Sequence, residues 1–174
     1  NQVNIKAVDQ SGNEYVAVAR VTVGDGIAPI VRSKSATIEL DNNGIGVLEV
    51  DDINDGSSDA CGIKNISLSK TSFSCSDIGE QIVEIIVEDN HGNIARSTAI
   101  VNVVDRSAPE LILKTTELIL DQEGKASLDS SELIESQSDN CGINIIKLSK
   151  TNFQCQDVGE QEVVVTAVDE SGNV

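Results

Sequence analysis

The chain repeats itself with a period of 80 residues. Asp9-Gln10-Ser11-Gly12-Asn13 recurs as Asp89-Asn90-His91-Gly92-Asn93 and again as Asp169-Glu170-Ser171-Gly172-Asn173, and Ala28-Pro29 recurs as Ala108-Pro109. The stretch from Cys61-Gly62-Ile63 to Cys75 recurs from Cys141-Gly142-Ile143 to Cys155, with no insertion or deletion between them. A fixed period close to the length of a small β domain points to a row of similar units, each with its own core, and argues against one enzyme core built from all 174 residues.

The recurrences also set the boundaries. Residues 1–26 match only 81–106 and read as the C-terminal hairpin of an upstream repeat. Residues 27–106 are a complete copy, and 107–174, which match 27–94, are a copy lacking its last strand. Two strands cannot bury a core alone, so the expectation is a window on a longer polypeptide. The sequence contains no initiator Met, signal peptide or apolar run long enough to span a bilayer.

Within each copy the patterning is that of strands. Val83, Ile85 and Val87 alternate with polar residues, as do their counterparts Val3, Ile5, Ala7 and Val163, Val165, Ala167, the signature of half-buried strands. The Asp-x-x-Gly-Asn segment turns the chain back, and Ala99, Val101 and Val103 (earlier Ala19, Val21, Val23) then face the same core. Upstream, Thr37–Leu40 and Val47–Val50 flank the turn Asp41-Asn42-Asn43-Gly44. Ile63–Leu68 and Phe73 suggest two strands folding back on each other around Ser69-Lys70-Thr71, and Asp51–Ala60 reads as loop. In the second copy Ser131–Glu135 reads as one helical turn after a serine cap. The expected fold is all-β: tandem immunoglobulin-like antiparallel β-sandwich repeats of about 80 residues, with Leu48, Leu68, Phe73, Val83, Ile85 and Val101 in the core of the complete copy.

Twenty-nine acidic against twelve basic residues give a formal charge of −17. That charge repels phosphate backbones and anionic lipid, which excludes nucleic acid and membrane insertion by this segment as expected partners. Phe73, Phe153 and Tyr15 are the whole aromatic set, so each small core is aliphatic and benefits from a staple.

The four cysteines, Cys61, Cys75, Cys141 and Cys155, form two equivalent pairs. A module that must work beside unlike neighbours suggests bridges inside each copy, Cys61 to Cys75 and Cys141 to Cys155. Closing about 15 residues would contribute roughly 3 kcal/mol in the chain-entropy model. Free thiols and metal binding are the alternatives; structural zinc, however, wants four Cys or His ligands, and each copy offers two cysteines. Disulfides imply an oxidising compartment.

No phosphate-binding glycine loop, nucleophile elbow or HExxH helix occurs in the sequence, so no enzyme is expected. The single histidine, His91, has Ser11 and Ser171 as counterparts and reads as a solvated loop residue. The sequon Asn65-Ile66-Ser67 does not recur and reads as coincidence. The aspartates carry more. Asp89 shares strand parity with Val83, Ile85 and Val87, and Asp105 shares it with Ala99, Val101 and Val103, so both face inward from opposite rims of one sandwich. Units stacked end to end would bring Asp25, Asp59 and Asp89 together at one junction, and Asp105, Asp139 and Asp169 at the next. Two readings stand: caps for backbone N–H groups in their own turns, or oxygen ligands for Ca²⁺.

The run from Leu40-Asp41-Asn42-Asn43-Gly44 through Asp59-Ala60-Cys61-Gly62-Ile63, Leu68-Ser69-Lys70-Thr71-Ser72-Phe73-Ser74-Cys75, Asp77-Ile78-Gly79 and Asp89-Asn90-His91-Gly92-Asn93 to Ala108-Pro109 resembles the hyalin-repeat (HYR-like) modules of giant bacterial surface adhesins, including those of gliding bacteria. The resemblance covers the whole chain. Members often carry two further cysteines, near Ile30–Arg32 and Ile94–Thr98, which are absent in this sequence. The resemblance implies an Ig-like fold, an extracellular position at the bacterial cell surface, and a stalk or adhesive filament with no catalytic residues. Its partners would be neighbouring repeats of the same polypeptide, with surface polysaccharide or other adhesin chains as further candidates. A carbohydrate- or protein-binding module is the competing reading, but such a module wants an aromatic or apolar platform, toward which only Tyr15 points. Polar residues at Lys64/Asn144, Ser74/Gln154 and Ser76/Gln156 favour the stalk.

Overall fold

The computed structural model describes residues 2–174 and is all-β, with helix confined to short turns. Strands β1 (Gln2–Val8) and β2 (Glu14–Arg20) form an antiparallel hairpin around the Asp9–Asn13 turn. The complete copy contributes β3 (Ala36–Glu39), β4 (Ile45–Val47), α1 (Val50–Ile53), β5 (Ile63–Leu68), β6 (Ser72–Ser74), β7 (Gly79–Asp89) and β8 (Ile94–Val104). These make a four-stranded sheet in the order β3-β8-β7-β5 and a facing pair β4-β6. Single antiparallel bridges outside these strands join Ile30 to Ser58 and Ser33 to Asn54.

Alternation explains the core. Val83, Ile85 and Val87 on β7 and Ala99, Val101 and Val103 on β8 turn to one face and are buried against Ile38, Leu40, Leu48, Ile53 and Phe73. Of the six expected core residues, Leu48, Phe73, Val83, Ile85 and Val101 are buried, and Leu68 is half-buried at the margin.

Three expectations are corrected. The sheet is mixed, because β3 runs parallel to β8. Val50 opens the short helix α1 in place of continuing a strand; Glu49 and Asp52 close a reciprocal capping box around it, and Ile53 reaches the core. Third, β5 and β6 are not a hairpin: β5 pairs with β7, β6 pairs with β4 in the other sheet. The chain starts β5 opposite Asp89 at the upper rim, crosses between sheets at Ser69–Thr71, and continues in the same direction to Ser74, opposite Ile45 at the lower rim.

The second copy repeats this plan in part. β9 (Glu110–Leu113) pairs with β11 (Ile134–Ser138), β10 (Lys125–Ser127) with β13 (Asn152–Gln154), and β12 (Ile143–Leu148) with β14 (Val165–Asp169). Of the helical turn expected over Ser131–Glu135 after a serine cap, only a 3-10 turn over Ser130–Glu132 forms, its cap is Asp129, and Ile134 and Glu135 belong to β11. Among the described residues no strand corresponds to β8, and the segments equivalent to its two neighbours are irregular. Residues 116–119, equivalent to β3, form no strand, and 159–164, equivalent to the first half of β7, form none either. Phe153 and Leu128 are buried, beside an open cleft of about 1070 Å³ lined also by Leu120, Val163 and Val165. The β1–β2 hairpin has the complementary lack: Val3, Ile5, Val16, Val18, Val21 and Val23 are exposed.

Candidate functional site: the junctions between copies

Each copy ends where the next begins in a knot of aspartates. Asp105 directly follows β8, Asp169 ends β14 and Asp139 lies in the loop before Cys141. One carboxylate oxygen from each lies within 4.8 Å of the others. Asp169 and Asp105 are 1% and 6% exposed, the result of the inward strand parity that their positions dictate.

Hydrogen bonds satisfy part of this charge. Asp169 accepts from the backbone N–H and the side-chain amide of Asn173, at 2.8 and 2.7 Å. Asp105 accepts from the Ser107 N–H, the Asn140 amide and the Ser171 hydroxyl, at 3.0, 3.1 and 3.1 Å. Asp139 Oδ1 accepts from the Cys141 and Gly142 N–H groups. Asp139 Oδ2 and Asn140 Oδ1 remain buried without a hydrogen-bond partner. Among the described residues no lysine, arginine or histidine pairs with the three carboxylates. Buried carboxylates in close contact call for a cation or for further donors.

The other junction repeats the arrangement. Asp25, Asp59 and Asp89 again converge within 4.8 Å, and Asp25 Oδ2 is buried without a hydrogen-bond partner. Asp89, fully buried, accepts from the His91 and Asn93 N–H groups and from the Asn93 amide. Burial pushes the Asp89 carboxyl up, and the Asn93 and His91 bonds outweigh it, leaving its pKa below the usual 3.8. The Asn93 amide also reaches the carbonyls of Asp25 and Ile27, as Asn173 reaches that of Asp105. His91 is not merely solvated: its Nδ1 lies 3.4 Å from Asp25 Oδ2. Among the side chains that differ between the junctions, Ala60 and His91 occupy the positions of Asn140 and Ser171, both of which donate to Asp105.

The turn at the tip of the β1–β2 hairpin separates the two readings of these aspartates. Asp9 makes the same bonds to Ser11 and Asn13 while fully on the surface. Capping is therefore intrinsic to the Asp-x-x-Gly-Asn turn, and what the tertiary structure adds at Asp89 and Asp169 is burial beside two further carboxylates.

The cysteine pairing is corrected outright. Cys75 bonds Cys141, across the junction, with Cα atoms 5.4 Å apart, and Cys61 and Cys155 are exposed free thiols. The reason is the strand path. β5 and β6 continue in one direction, and the six residues of β5 alone carry the chain about 20 Å from Cys61 at ~3.3 Å per residue, far beyond the Cα separation a disulfide tolerates. Cys61 and Cys75 thus stand at opposite rims, and the partner within reach of Cys75 belongs to the next copy.

The bridge sits on a second contact that sequence reasoning missed. The Asn140 amide donates to the Asp41 carbonyl in the lower turn of the first copy, at 3.0 Å. Gly44 in that turn has φ +72°, and a Cβ there would meet Cys75 Sγ at 2.7 Å and the Asn140 carbonyl oxygen at 2.9 Å. The only sequence signal was the recurrence of Gly44 as Gly124. No helix in the described residues is long and apolar enough to cross a membrane. Comparison of the chain with protein-family models, with curated proteins and with solved structures gives no match.

Proposed function

We propose that this chain is a stretch of a non-enzymatic stalk: HYR-like, immunoglobulin-like repeats of about 80 residues in a large extracellular adhesin, which projects or forms an adhesive filament at the bacterial surface. The observation that carries the reading is the Cys75–Cys141 bond. A bridge within a module would stabilise that module alone, whereas a bridge between copies restrains the angle between them and transmits pull along the chain. The linker Asp105-Arg106-Ser107-Ala108-Pro109 is short and ends in proline, so it shares this restraint. Small-angle scattering of the chain should give the profile of a rod whose cross-section is one sandwich. A compact particle with the copies folded side by side would overturn the proposal.

Calcium is the proposed occupant of the two aspartate sets, Asp105/Asp139/Asp169 and Asp25/Asp59/Asp89. Support comes from the buried, partnerless oxygens of Asp139 and Asn140, hard ligands of the kind Ca²⁺ takes in numbers of six to eight with carbonyls and water. Titration calorimetry on the chain should show calcium binding that Asp105→Asn with Asp25→Asn abolishes; no heat with the parent chain would leave these aspartates as turn caps.

A further inference from the structure

We propose that the Cys75–Cys141 bridge and the cation site of Asp105, Asp139 and Asp169 are coupled through the loop Asp139-Asn140-Cys141-Gly142, so that calcium makes the bridge harder to reduce and the bridge makes calcium bind more tightly. The inference rests on the calcium reading of that site and deepens it.

One short loop serves both. Asp139 divides its carboxylate between them. Its Oδ1 accepts from the Cys141 and Gly142 N–H groups at 2.8 and 2.7 Å, which fixes the backbone that carries the bridged sulfur. Its Oδ2 is buried without a hydrogen-bond partner, in a side chain that also brings an oxygen within 4.8 Å of Asp105 and Asp169. Asn140 is divided in the same way. Its carbonyl oxygen lies 3.4 Å from Cys75 Sγ, and its amide donates to the Asp105 carboxylate at 3.1 Å and to the Asp41 carbonyl at 3.0 Å. Its Oδ1 is the other buried oxygen of this loop without a partner. The next residue is Cys141 itself, so the loop cannot leave one site without disturbing the other.

The electrostatics give the sign. Asp105 follows β8 of the first copy, whereas Asp139 and Asp169 belong to the second. Like charges at this range repel, and their repulsion pushes the copies apart at the point where the Cys75–Cys141 bond draws them together. A divalent cation cancels that repulsion and holds the same loop in the same place. Whichever constraint is set first bears the entropy of ordering the loop, and the second then forms on a loop already in position. Reciprocity follows: the factor by which calcium favours the bridge is the factor by which the bridge favours calcium. The first junction lacks part of this coupling element, because Ala60 stands at the position of Asn140.

Opening the bridge takes two electrons and two protons from two molecules of reduced glutathione, which leave as one glutathione disulfide. The test uses the full chain with Cys61→Ser, Cys155→Ser and Asp25→Asn, which leaves a single cysteine pair and disables the Asp25/Asp59/Asp89 set. This chain is equilibrated across glutathione redox mixtures with excess calcium or with chelator, and its thiols are alkylated and counted by mass spectrometry. With calcium, the ratio of squared glutathione to glutathione disulfide at half reduction should rise by about tenfold, within the range usual for coupled sites. Calorimetry on the oxidised chain, and on the chain kept reduced with dithiothreitol, should give a calcium Kd that weakens by the same factor on reduction. Asn140→Ala, which copies the first junction, should shrink both shifts while far-ultraviolet circular dichroism keeps the parent's β form. Calcium heat with identical reduction curves would overturn the coupling and leave the calcium reading standing; no heat from the oxidised chain would overturn both.

Discussion

Gly44 shows how narrowly single residues are constrained at the junction. Its positive φ is strained for any other side chain, at about 1–2 kcal/mol, and an added methyl collides with the sulfur of the bridge and with Asn140. Gly44→Ala should therefore destabilise the chain by at least that amount and slow oxidation of Cys75 with Cys141. Gly124→Ala, which presses only on an unbridged sulfur, should leave that bond untouched; thiol-trapping time courses compare the two. The carboxylates give a second prediction. The Lys70 ammonium and the Ser74 N–H hold Asp77 below its ordinary 3.8, Lys150 and the Gln154 N–H do the same for Asp157, and the Asn93 and His91 bonds do so for Asp89 against its burial. A lowered folded-state value means stability that is present above 3.8 and is lost as the pH falls through the folded values below it. Circular dichroism during acid titration should show unfolding that begins only below about pH 4, and Asp77→Asn should flatten that dependence.

At the scale of elements, the two copies form an internal control. The same sequence pattern makes β3 and the full length of β7 where β8 lies between them, and makes neither where β8 has no counterpart. A strand is thus held by its neighbour more than by its own alternation. Hydrogen exchange should follow: amides of 36–39 and 79–84 protected, those of 116–119 and 159–164 exchanging fast. A polypeptide extended by the next repeat strand should convert the second set to slow exchange and bury Leu118 and Leu120. Equal protection in both copies of the present chain would show that the missing strand is not what leaves these segments irregular.

For the whole molecule, the bridge closes a loop of 66 residues and by chain entropy contributes about 4 kcal/mol. Cys75→Ser should lower the melting temperature while far-ultraviolet circular dichroism keeps its β form, because the sheet and its aliphatic core do not depend on the bond. Stiffness should respond more than stability. With the bond reduced and calcium chelated, the maximum dimension from scattering should broaden into a distribution of bent forms. An unchanged distribution would assign the rod to the short proline linkers alone.

What the sequence settles by itself is what depends on neighbours along the chain. The 80-residue period, the alternation that buries Val83, Ile85 and Val87, the Asp-x-x-Gly-Asn cap, and the inward parity of Asp89 and Asp105 all follow from a side-chain period of two and the chemistry of one turn. The convergence of Asp105, Asp139 and Asp169 was legible as well, because the recurrence of the sequence pattern and the short Asp105–Pro109 link imply that these rims meet. Only the tertiary structure decided which strands share a sheet. The parallel pairing of β3 with β8 and the crossing of the chain from β5 to β6 leave no local trace, since alternation is the same whichever sheet a strand joins. That choice fixed the cysteines: two residues close in sequence were carried to opposite rims by a chain that did not turn back, and a sulfur 66 residues away became the nearer partner.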